Sequence, residues 1–441
     1  MNQLAKNFVQ RVQAPNSNVM VALKSLSRFL AKWMVTTVVG ATLAVVIGAR
    51  VTRIFAGPEN YKIYVIGKLG AKDDLKNLFA AIKDGPVPNL TIDTKPIKIE
   101  KRDDKGDPHY AGQIARQIAG RDDTLLVVGH GLSTQTKAAL PYYLGGVPEG
   151  AKPAVPVILT TETNTELLPS TVSEGACPPA MRLSPTDDEQ AVAAAKFLKK
   201  KENFWVVADA QNSAYSQYLT RQFISQVNDP NSRVILSSTN QNTPSVDALK
   251  ALKIDAVFFA GGWVDALTLI RQLKAFTVAG AFPSARGGPA VILSDGAVDK
   301  LLLQQGGEDV NGIFLTYPLT ANEYNDATRG YAQYGEDALT LAQNLIREAD
   351  QKFGKTRREQ AWFSYWVKWA LNMHRVRDAR AVLDNVIQGY VTHQNAPNSS
   401  ADCKYHRADN VEESKSGFHV WKIKNGQFED VLTVPSEAPS L

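Results

Sequence analysis

From Tyr61 onward, short runs of apolar and β-branched residues alternate with stretches whose apolar positions recur at helical spacing. "YKIYVIG" (61–67) predicts a strand, followed by a short helix over about 73–82. "IKIEK" (97–101), a helix over 109–119 and "TLLVVGH" (124–130) continue the series. A helix starting at Ser133 follows, and "VPVILT" (155–160) closes this first block. After "AMRLSP" (180–185) a second block begins, where Thr186-Asp-Asp-Glu189 reads as a capping box for a helix running to Lys200. "FWVVAD" (204–209), a helix over about 215–228, "RVILSS" (233–238), "DAVFFAG" (255–261), "AVILSD" (290–295) and "GIFLTYP" (312–318) complete the block. Strands alternating with helices predict right-handed βαβ units and parallel sheets. The strands are apolar nearly throughout, as expected where helices cover both faces of a sheet. One sheet does not comfortably hold so many units. The pattern therefore predicts an α/β fold of two doubly wound parallel-sheet lobes, with the chain first crossing near 182–187. Beyond these units, 335–389 reads as helical and 390–417 as polar and irregular. "FHVWKIKNGQFEDVL" (418–432) reads as a hairpin turning at Asn425-Gly426.

The N-terminus changes the picture. Lys6, Arg11, Lys24, Arg28, Lys32, Arg50 and Arg53 lie in residues 1–53, which contain no Asp or Glu. Removing those 7 from the 49 Lys and Arg leaves 42 cations against 44 anions, so the +5 of the whole chain belongs to the leader. That placement excludes a basic nucleic-acid-binding face on the folded part. Residues 33–49, "WMVTTVVGATLAVVIGA", are 17 uncharged and mostly apolar positions. They match the short end of the ~17–25 residues that a transmembrane helix needs. The preceding cations put residues 1–32 in the cytoplasm and everything after about residue 54 outside. An uncleaved single-pass anchor and a cleaved export signal, with Gly48, Ala49 and Ala56 as small residues near a cleavage point, both remain open. Either reading exports the folded part.

Cys177 and Cys403 are the two cysteines of the 441 residues, and in an exported chain they are candidates for one disulfide or for two thiols. Cys403-x-x-His406 lacks the second half of a metal site, so no metal is expected.

The richest stretch for chemistry is "TLLVVGHGLSTQTKAALP" (124–141). A hydrolase elbow requires Gly-x-Ser-x-Gly, and here Gln135 stands in the second glycine's place. A dinucleotide fingerprint requires a third glycine where Thr134 stands, and the chain contains no Gly-Lys-Ser/Thr loop. His130 reads as a residue that shapes the turn. What remains is a helix start beyond a parallel strand, where free N–H groups and the helix dipole favour an anion and Ser133, Thr134 and Thr136 offer hydroxyls. The plainer alternative is that Ser133 caps its own helix. The second block supplies possible partners: Asp295 after "VILS" as a counter-charge for an ammonium, Tyr215 beyond the strand ending at Asp209, and Gly262 and Trp263 beyond "VFFAG". Together they would clamp a zwitterion, although each alone also reads as a cap, a loop anchor or a core aromatic.

With those residues in view, the chain resembles the leucine/isoleucine/valine-binding protein family, the type I periplasmic binding proteins of amino-acid ABC transporters. The resemblance covers about 61–345 and resumes at the final hairpin. It is carried, in order, by "RDDKGDPHYAGQIARQIA", "VVGHGLSTQTKAALP", "ILTTETNTELL", "DAQNSAYSQYLTRQF", "VFFAGGWVDALTLIRQL", "ILSDGA" and "YGEDALTLAQNLI". It implies that Ser133 binds a ligand α-carboxylate, with Thr163 and the backbone near Glu162 adding contacts. It further implies that Asp295 takes the α-ammonium, while Tyr215 and Gly262 or Trp263 line the far wall. Two departures stand out. Glu162 occupies a place where the family has a small residue, and "KLGAKDDLK" follows the first strand without the family's Pro-Leu-Thr-Gly-type loop and helix. Glu162 either neutralises a basic or amide-bearing ligand or points to solvent. A carboxylate facing the pocket would disfavour an apolar leucine-type side chain. In the embellishment 356–376, Trp362, Trp366 and Trp369 share one helix face, either as a core-packing stripe or as a contact for a membrane partner.

The expectation is a non-catalytic solute-binding protein with no cofactor, no catalytic residue and no metal. Its partners would be a small amino-acid-like solute, an ABC permease and, through residues 33–49, the membrane. The first lobe is expected over 61–183 plus 319–400 and the second over 184–318 plus 415–434. A membrane-tethered sensor built on the same clamp is the alternative.

Overall fold

The structure, a computed structural model, describes residues 58–70, 78–92, 94–145, 154–168, 179–210, 212–227, 230, 232–239, 243–282, 288–325, 330–359, 375–393, 406–408 and 417–434. The leader 1–32, the apolar span 33–49, Cys177, Cys403 and the three tryptophans of 356–376 lie outside the described residues. No helix among the described residues is long and apolar enough to cross a membrane.

The first sheet is built mainly from the first block. Its strands are β1 (Tyr61–Gly67), β2 (Gly85–Ile92), β3 (Lys95–Asp103), β4 (Thr124–Gly129), β5 (Val157–Leu159) and β6 (Ala180–Arg182). Helices α1 (Pro108–Ala119) and α2 (Ser133–Tyr143) connect them. The second sheet comes from β7 (Asn203–Ala208), β8 (Arg233–Ser238), β9 (Ala256–Ala260), β10 (Ala290–Leu293) and β11 (Phe314–Tyr317). Its helices are α3 (Asp187–Phe197), α4 (Ser213–Gln226), α5 (Val246–Leu252), α6 (Trp263–Val278) and α7 (Lys300–Gly306). The tail adds α8 (Ala321–Asn325), α9 (Gly330–Glu359), α10 (Arg375–Tyr390), β12 (Val391–His393), β13 (His406–Ala408), β14 (Phe418–Lys424) and β15 (Gln427–Val434).

The first sheet runs in the order β12-β13-β6-β5-β4-β1-β3-β2, and the second in the order β15-β14-β11-β10-β9-β7-β8. Parallel pairing runs from β3 through β1, β4, β5 and β6 to β13, and from β8 through β7, β9 and β10 to β11. Antiparallel strands are confined to the margins, where β2 joins β3, β12 joins β13 and the β14–β15 hairpin joins β11.

Each parallel strand divides its side chains between two apolar layers, as a period of two requires. Tyr61, Ile63 and Val65 of β1 pack beneath α9 and α10, whereas Tyr64 and Ile66 pack against α1 and α2. In the second sheet Trp205 and Val207 share a layer with α6, and Phe204 and Val206 share one with α4. This two-sided burial is why these strands read as unbroken apolar runs. Thr186 and Glu189 form the expected capping box at the start of α3.

Three local expectations change. Leu78–Ala80 forms a turn where the end of a helix over 73–82 was expected, with Leu78 and Phe79 buried in the core. Residues 71–77 lie outside the description. β2 was not foreseen, because Pro86 and Pro88 remove two backbone donors; an edge strand tolerates that loss. Within 390–417, expected to be irregular, β12 and β13 extend the first sheet.

Candidate functional site

In both sheets the strand order reverses beside a central strand. β1 has β3 on one side and β4 on the other, and β7 has β8 on one side and β9 on the other. Loops leaving the carboxyl ends of strands at such a reversal diverge to opposite faces and open a crevice. A cleft of about 260 Å³ lies there, lined from both sheets. Lys68 after β1, Gly131 to Ser133 after β4 and Thr161 and Thr163 after β5 form one wall. Asp209 and Asn212 after β7, Gly261 to Asp265 after β9 and Asp295 after β10 form the other.

The loop after β4 is held from beneath. Gly129 has φ +122°, and a Cβ there would lie 1.9 Å from the Ile66 carbonyl oxygen, so β4 can only end in glycine. His130 is buried between the Asp104 carboxylate (2.9 Å from Nδ1) and the Tyr143 hydroxyl (3.1 Å from Nε2). The imidazole thus shapes the turn, as its position suggested. Ser133 is the first residue of α2, and Leu132 stands at the cap with no side-chain cap bond, so the cap alternative for Ser133 falls. The hydroxyls of the neighbouring threonines are engaged elsewhere. Thr134 donates to Asn212 Oδ1 at 2.7 Å, and Thr136 donates to Glu162 Oε1 at 2.9 Å. Of the three candidate hydroxyl residues, only Ser133 lines the cleft.

Glu162 is where the structure corrects the sequence reading. Its carboxylate neither lines the cleft nor meets solvent; the residue is 0% exposed. It accepts from Gly131 N (2.8 Å), Thr136 Oγ1 (2.9 Å) and Thr160 Oγ1 (3.3 Å). The side chain therefore pins the loop that carries Ser133, and its three donors satisfy a buried charge that would otherwise be costly. Its backbone carbonyl accepts from Ser184 Oγ at 3.0 Å. Arg182, fully buried, donates to the Thr163 carbonyl (2.9 Å) and the Asn164 carbonyl (3.0 Å). Burial pulls the Arg182 guanidinium pKa below its ordinary value, with the charges of Asp187, Asp188 and Glu162 opposing. The first crossing between lobes is thus fastened at the β5 loop.

On the other wall Asp295 is 7% exposed and accepts from the Tyr215 hydroxyl and from Gln190 Nε2 at 2.9 Å. Burial raises the Asp295 carboxyl pKa, and those two donors and the Gly296 N–H partly offset the rise. An ammonium entering the cleft would favour the charged form again. Asp187, buried behind Thr163 and Asp295, is pushed well above the carboxylate range by burial and by the charges of Asp295 and Asp188. The nearby Thr163 hydroxyl and Arg182 oppose that rise. Gly262 caps α6 and its N–H donates to Asp209 Oδ2 at 3.1 Å, while Trp263 opens the helix at the cleft wall. Six of the seven residues singled out from the sequence, namely Ser133, Thr163, Tyr215, Gly262, Trp263 and Asp295, thus meet around one cleft, and Glu162 stands behind it.

Residues that the sequence reading passed over also bridge the two walls. Asn212 Oδ1 accepts from Thr134, whose Oγ1 in turn accepts from Ala214 N at 3.1 Å. Asn164 Nδ2 donates to the Ala214 carbonyl at 2.6 Å, and Arg221 pairs with Glu166 at 2.9 Å. Only the "NSA" at the start of α4, a helix-entry signal, was visible beforehand. Lys68, Asp209 and Asp265 are further cleft residues that the motifs did not single out as ligand groups. Among the described residues no group of three His, Cys, Asp or Glu is arranged to hold a metal ion.

Comparison with known proteins places this geometry. A profile of the periplasmic binding protein family matches residues 76–345. A curated Pseudomonas aeruginosa protein named "Amino acid binding protein" is 25% identical over 236 residues, 51% of this chain. The chain spans 57% of that relative's length. Among solved structures, a leucine-binding protein from Thermotoga maritima superposes with a TM-score of 0.60 at 15% identity, covering 85% of this chain and 99% of that one. An ABC-transporter solute-binding protein from Rhodopseudomonas palustris, in complex with 3,4-dihydroxybenzoic acid, gives 0.54 at 13% identity over 87% and 99%. The branched-chain amino acid transporter substrate-binding protein from Streptococcus pneumoniae, in complex with isoleucine, gives 0.54 at 14% identity over 85% and 99%. At these identities the structures share the fold with this chain, and their ligands differ from one another.

Proposed function

The chain belongs to the periplasmic binding protein family, and from that membership we propose a non-catalytic, extracytoplasmic solute-binding protein that closes two lobes over a small amino-acid-like zwitterion. One observation carries the reading. Ser133, at a helix start on the first sheet, faces Asp295 and Tyr215 of the second sheet across a cleft at the carboxyl edges of both. Contacts contributed by both walls together are what a hinge-closing binder needs, and no catalytic group is required. The curated relative's name and the leucine- and isoleucine-related structures support an amino acid as the solute class.

In this proposal Ser133 and Thr163 receive the α-carboxylate, Asp295 the α-ammonium, and Tyr215, Gly262 and Trp263 form the far wall. Lobe limits of 61–183 plus 319–400 and 184–318 plus 415–434 belong to it as well. So do an ABC permease as partner and residues 33–49 as a membrane anchor or a removed export signal. The long basic leader also supports a tethered sensor that uses the same clamp, and mass spectrometry of the mature N-terminus separates retained anchor from cleaved signal.

Calorimetry of the purified chain against the amino acids tests the clamp. Ser133→Ala and Asp295→Ala are each expected to weaken binding roughly tenfold or more, the scale of a lost charge-assisted hydrogen bond. Unchanged affinity in both folded variants rejects the site.

A further inference from the structure

The start of α2 holds a polar atom that the protein itself leaves unanswered. Gln135, the third residue of that helix, lines the cleft and is 3% exposed. Its amide nitrogen donates to the Gly106 carbonyl. Its amide oxygen is buried and has no donor among the described residues. The amide is held in this sense, because turning it over would set its oxygen against the Gly106 carbonyl oxygen. A buried acceptor left unpaired is costly, and a ligand N–H would satisfy it.

Gln135 belongs to the same frame that braces the loop after β4. Gly106 N donates to Asp104 Oδ1 at 2.9 Å, and the other oxygen of that carboxylate lies 2.9 Å from His130 Nδ1. The Gly106 carbonyl that holds Gln135 is therefore tied to the buried His130. An acceptor fixed before the ligand arrives spares the cost of ordering it on binding. The same wall also decides what kind of donor can meet this oxygen. Among the described residues that line the cleft from the first sheet, none is a carboxylate. A buried cation needs an opposite charge beside it, whereas a neutral N–H needs only an acceptor.

We propose that Gln135 is a specificity residue of the clamp, its amide oxygen receiving a neutral N–H from the solute's side chain, so that the cleft takes an amino acid with an amide or ureido side chain. The inference rests on the amino-acid clamp proposed above and narrows its ligand. Ser133 then serves the α-carboxylate, and Gln135, two residues further along α2, serves the side chain. A volume of about 260 Å³ suits a single amino acid, lying below the roughly 300–1,000 Å³ of drug-sized sites. An aliphatic or thioether side chain would leave the Gln135 oxygen buried without a donor, and a carboxylate side chain would set a second acceptor against it. The carbonyl of the side-chain amide needs a donor in turn, and the indole N–H of Trp263 is one that the cleft's lining offers.

The test is calorimetry of the full chain with L-glutamine, L-asparagine and L-citrulline beside L-methionine, L-norleucine, L-glutamate and L-lysine, repeated on Gln135→Met. In the unaltered chain the best of the first three is expected to bind about tenfold or more tightly than L-methionine, the scale of a hydrogen bond lost at a buried acceptor. Gln135→Met, close to glutamine in size, is expected to weaken that ligand about tenfold and to leave L-methionine within about twofold. A loss shared equally by both ligands would mean that Gln135 acts only through the fold, and it overturns the inference. Tighter binding of L-methionine, L-norleucine, L-glutamate or L-lysine by the unaltered chain also overturns it and leaves the clamp standing. Failure of every amino acid to bind overturns both. Circular dichroism verifies that the variant is folded; should it not fold, the ranking of ligands by the unaltered chain decides alone.

Discussion

The loop after β4 and the loops after β7 and β9 face each other across the cleft, and their polar groups are employed in opposite ways. On the first wall almost every polar group behind the loop is spent internally: Glu162 holds Gly131, Thr136 and Thr160, and His130 is held by Asp104 and Tyr143. On the second wall the carboxylates of Asp209, Asp265 and Asp295 line the cleft itself. A prebuilt seat needs a rigid frame, because ordering a loop at the moment of binding costs affinity. Charges kept at the cleft surface select among ligands, because an unmatched one is costly to bury. The first wall is braced by groups behind its loop, whereas carboxylates of the second wall both hold their own loops and line the cleft.

Removing the frame should produce the largest effect. Glu162→Ala leaves Gly131 N and two buried hydroxyls without an acceptor and leaves the nearby buried Arg182 with less compensating charge. A loss of about 3 kcal/mol of folding stability is expected, within the range for breaking a buried charged network. Urea denaturation measures it, and a loss below about 1 kcal/mol would mean that the loop stands without its brace.

Next in size is the bridge between the walls. Thr134→Val deletes the hydroxyl that meets Asn212 Oδ1 and Ala214 N. These bonds form only when the lobes are together, so their loss should shift the free protein toward open forms. Losing one to two bonds of ~1 kcal/mol predicts about a five- to thirtyfold weaker ligand affinity. Solution scattering should report a larger radius of gyration without ligand. Equal affinity and equal radius in the variant would show that the bridge does not set closure.

Strands such as β1, β4, β7 and β9 were legible because each is buried on both faces and so apolar at every position. The hairpin of β14 and β15 was legible from Asn425-Gly426, where Asn425 has φ +52° and Gly426 φ +74°. β2 was not, since its identity comes from pairing at a sheet edge rather than from its own composition. Ser133, Tyr215, Trp263 and Asp295 were legible because each follows a strand at its carboxyl end. Glu162 also follows a strand, and its position alone does not tell a side chain turned into the cleft from one turned under a loop 31 residues away. The Asp209–Asp265 pair was hidden for a related reason. Asp209 read as a strand end and Asp265 carried no signal, and the adjacency of β7 and β9 places both on one wall of the cleft.

That pair supplies the smallest effect and the sharpest probe of the second wall. Partial burial first and the Asp209 carboxyl second raise the Asp265 pKa from 3.8 to about 6. The folded chain therefore holds a proton that the unfolded chain has already released between about pH 4 and pH 6. By linkage this group favours folding below that window, and its contribution is lost as pH rises through it. Above pH 6 the ligand-free wall carries neighbouring like charges. Asp265→Asn removes them, and after allowance for solvent screening of a partly exposed group it should stabilise the ligand-free protein by about 0.5–1 kcal/mol at pH 7.5. Below pH 4 the two proteins should be equally stable. Thermal denaturation from pH 4 to pH 8 measures the difference, and a stability gap independent of pH would remove the carboxyl pair from the account of this wall. If the gap opens with pH as expected, the charged form of Asp265 is a cost that the folded wall carries, and its carboxyl is the group through which pH acts on this wall.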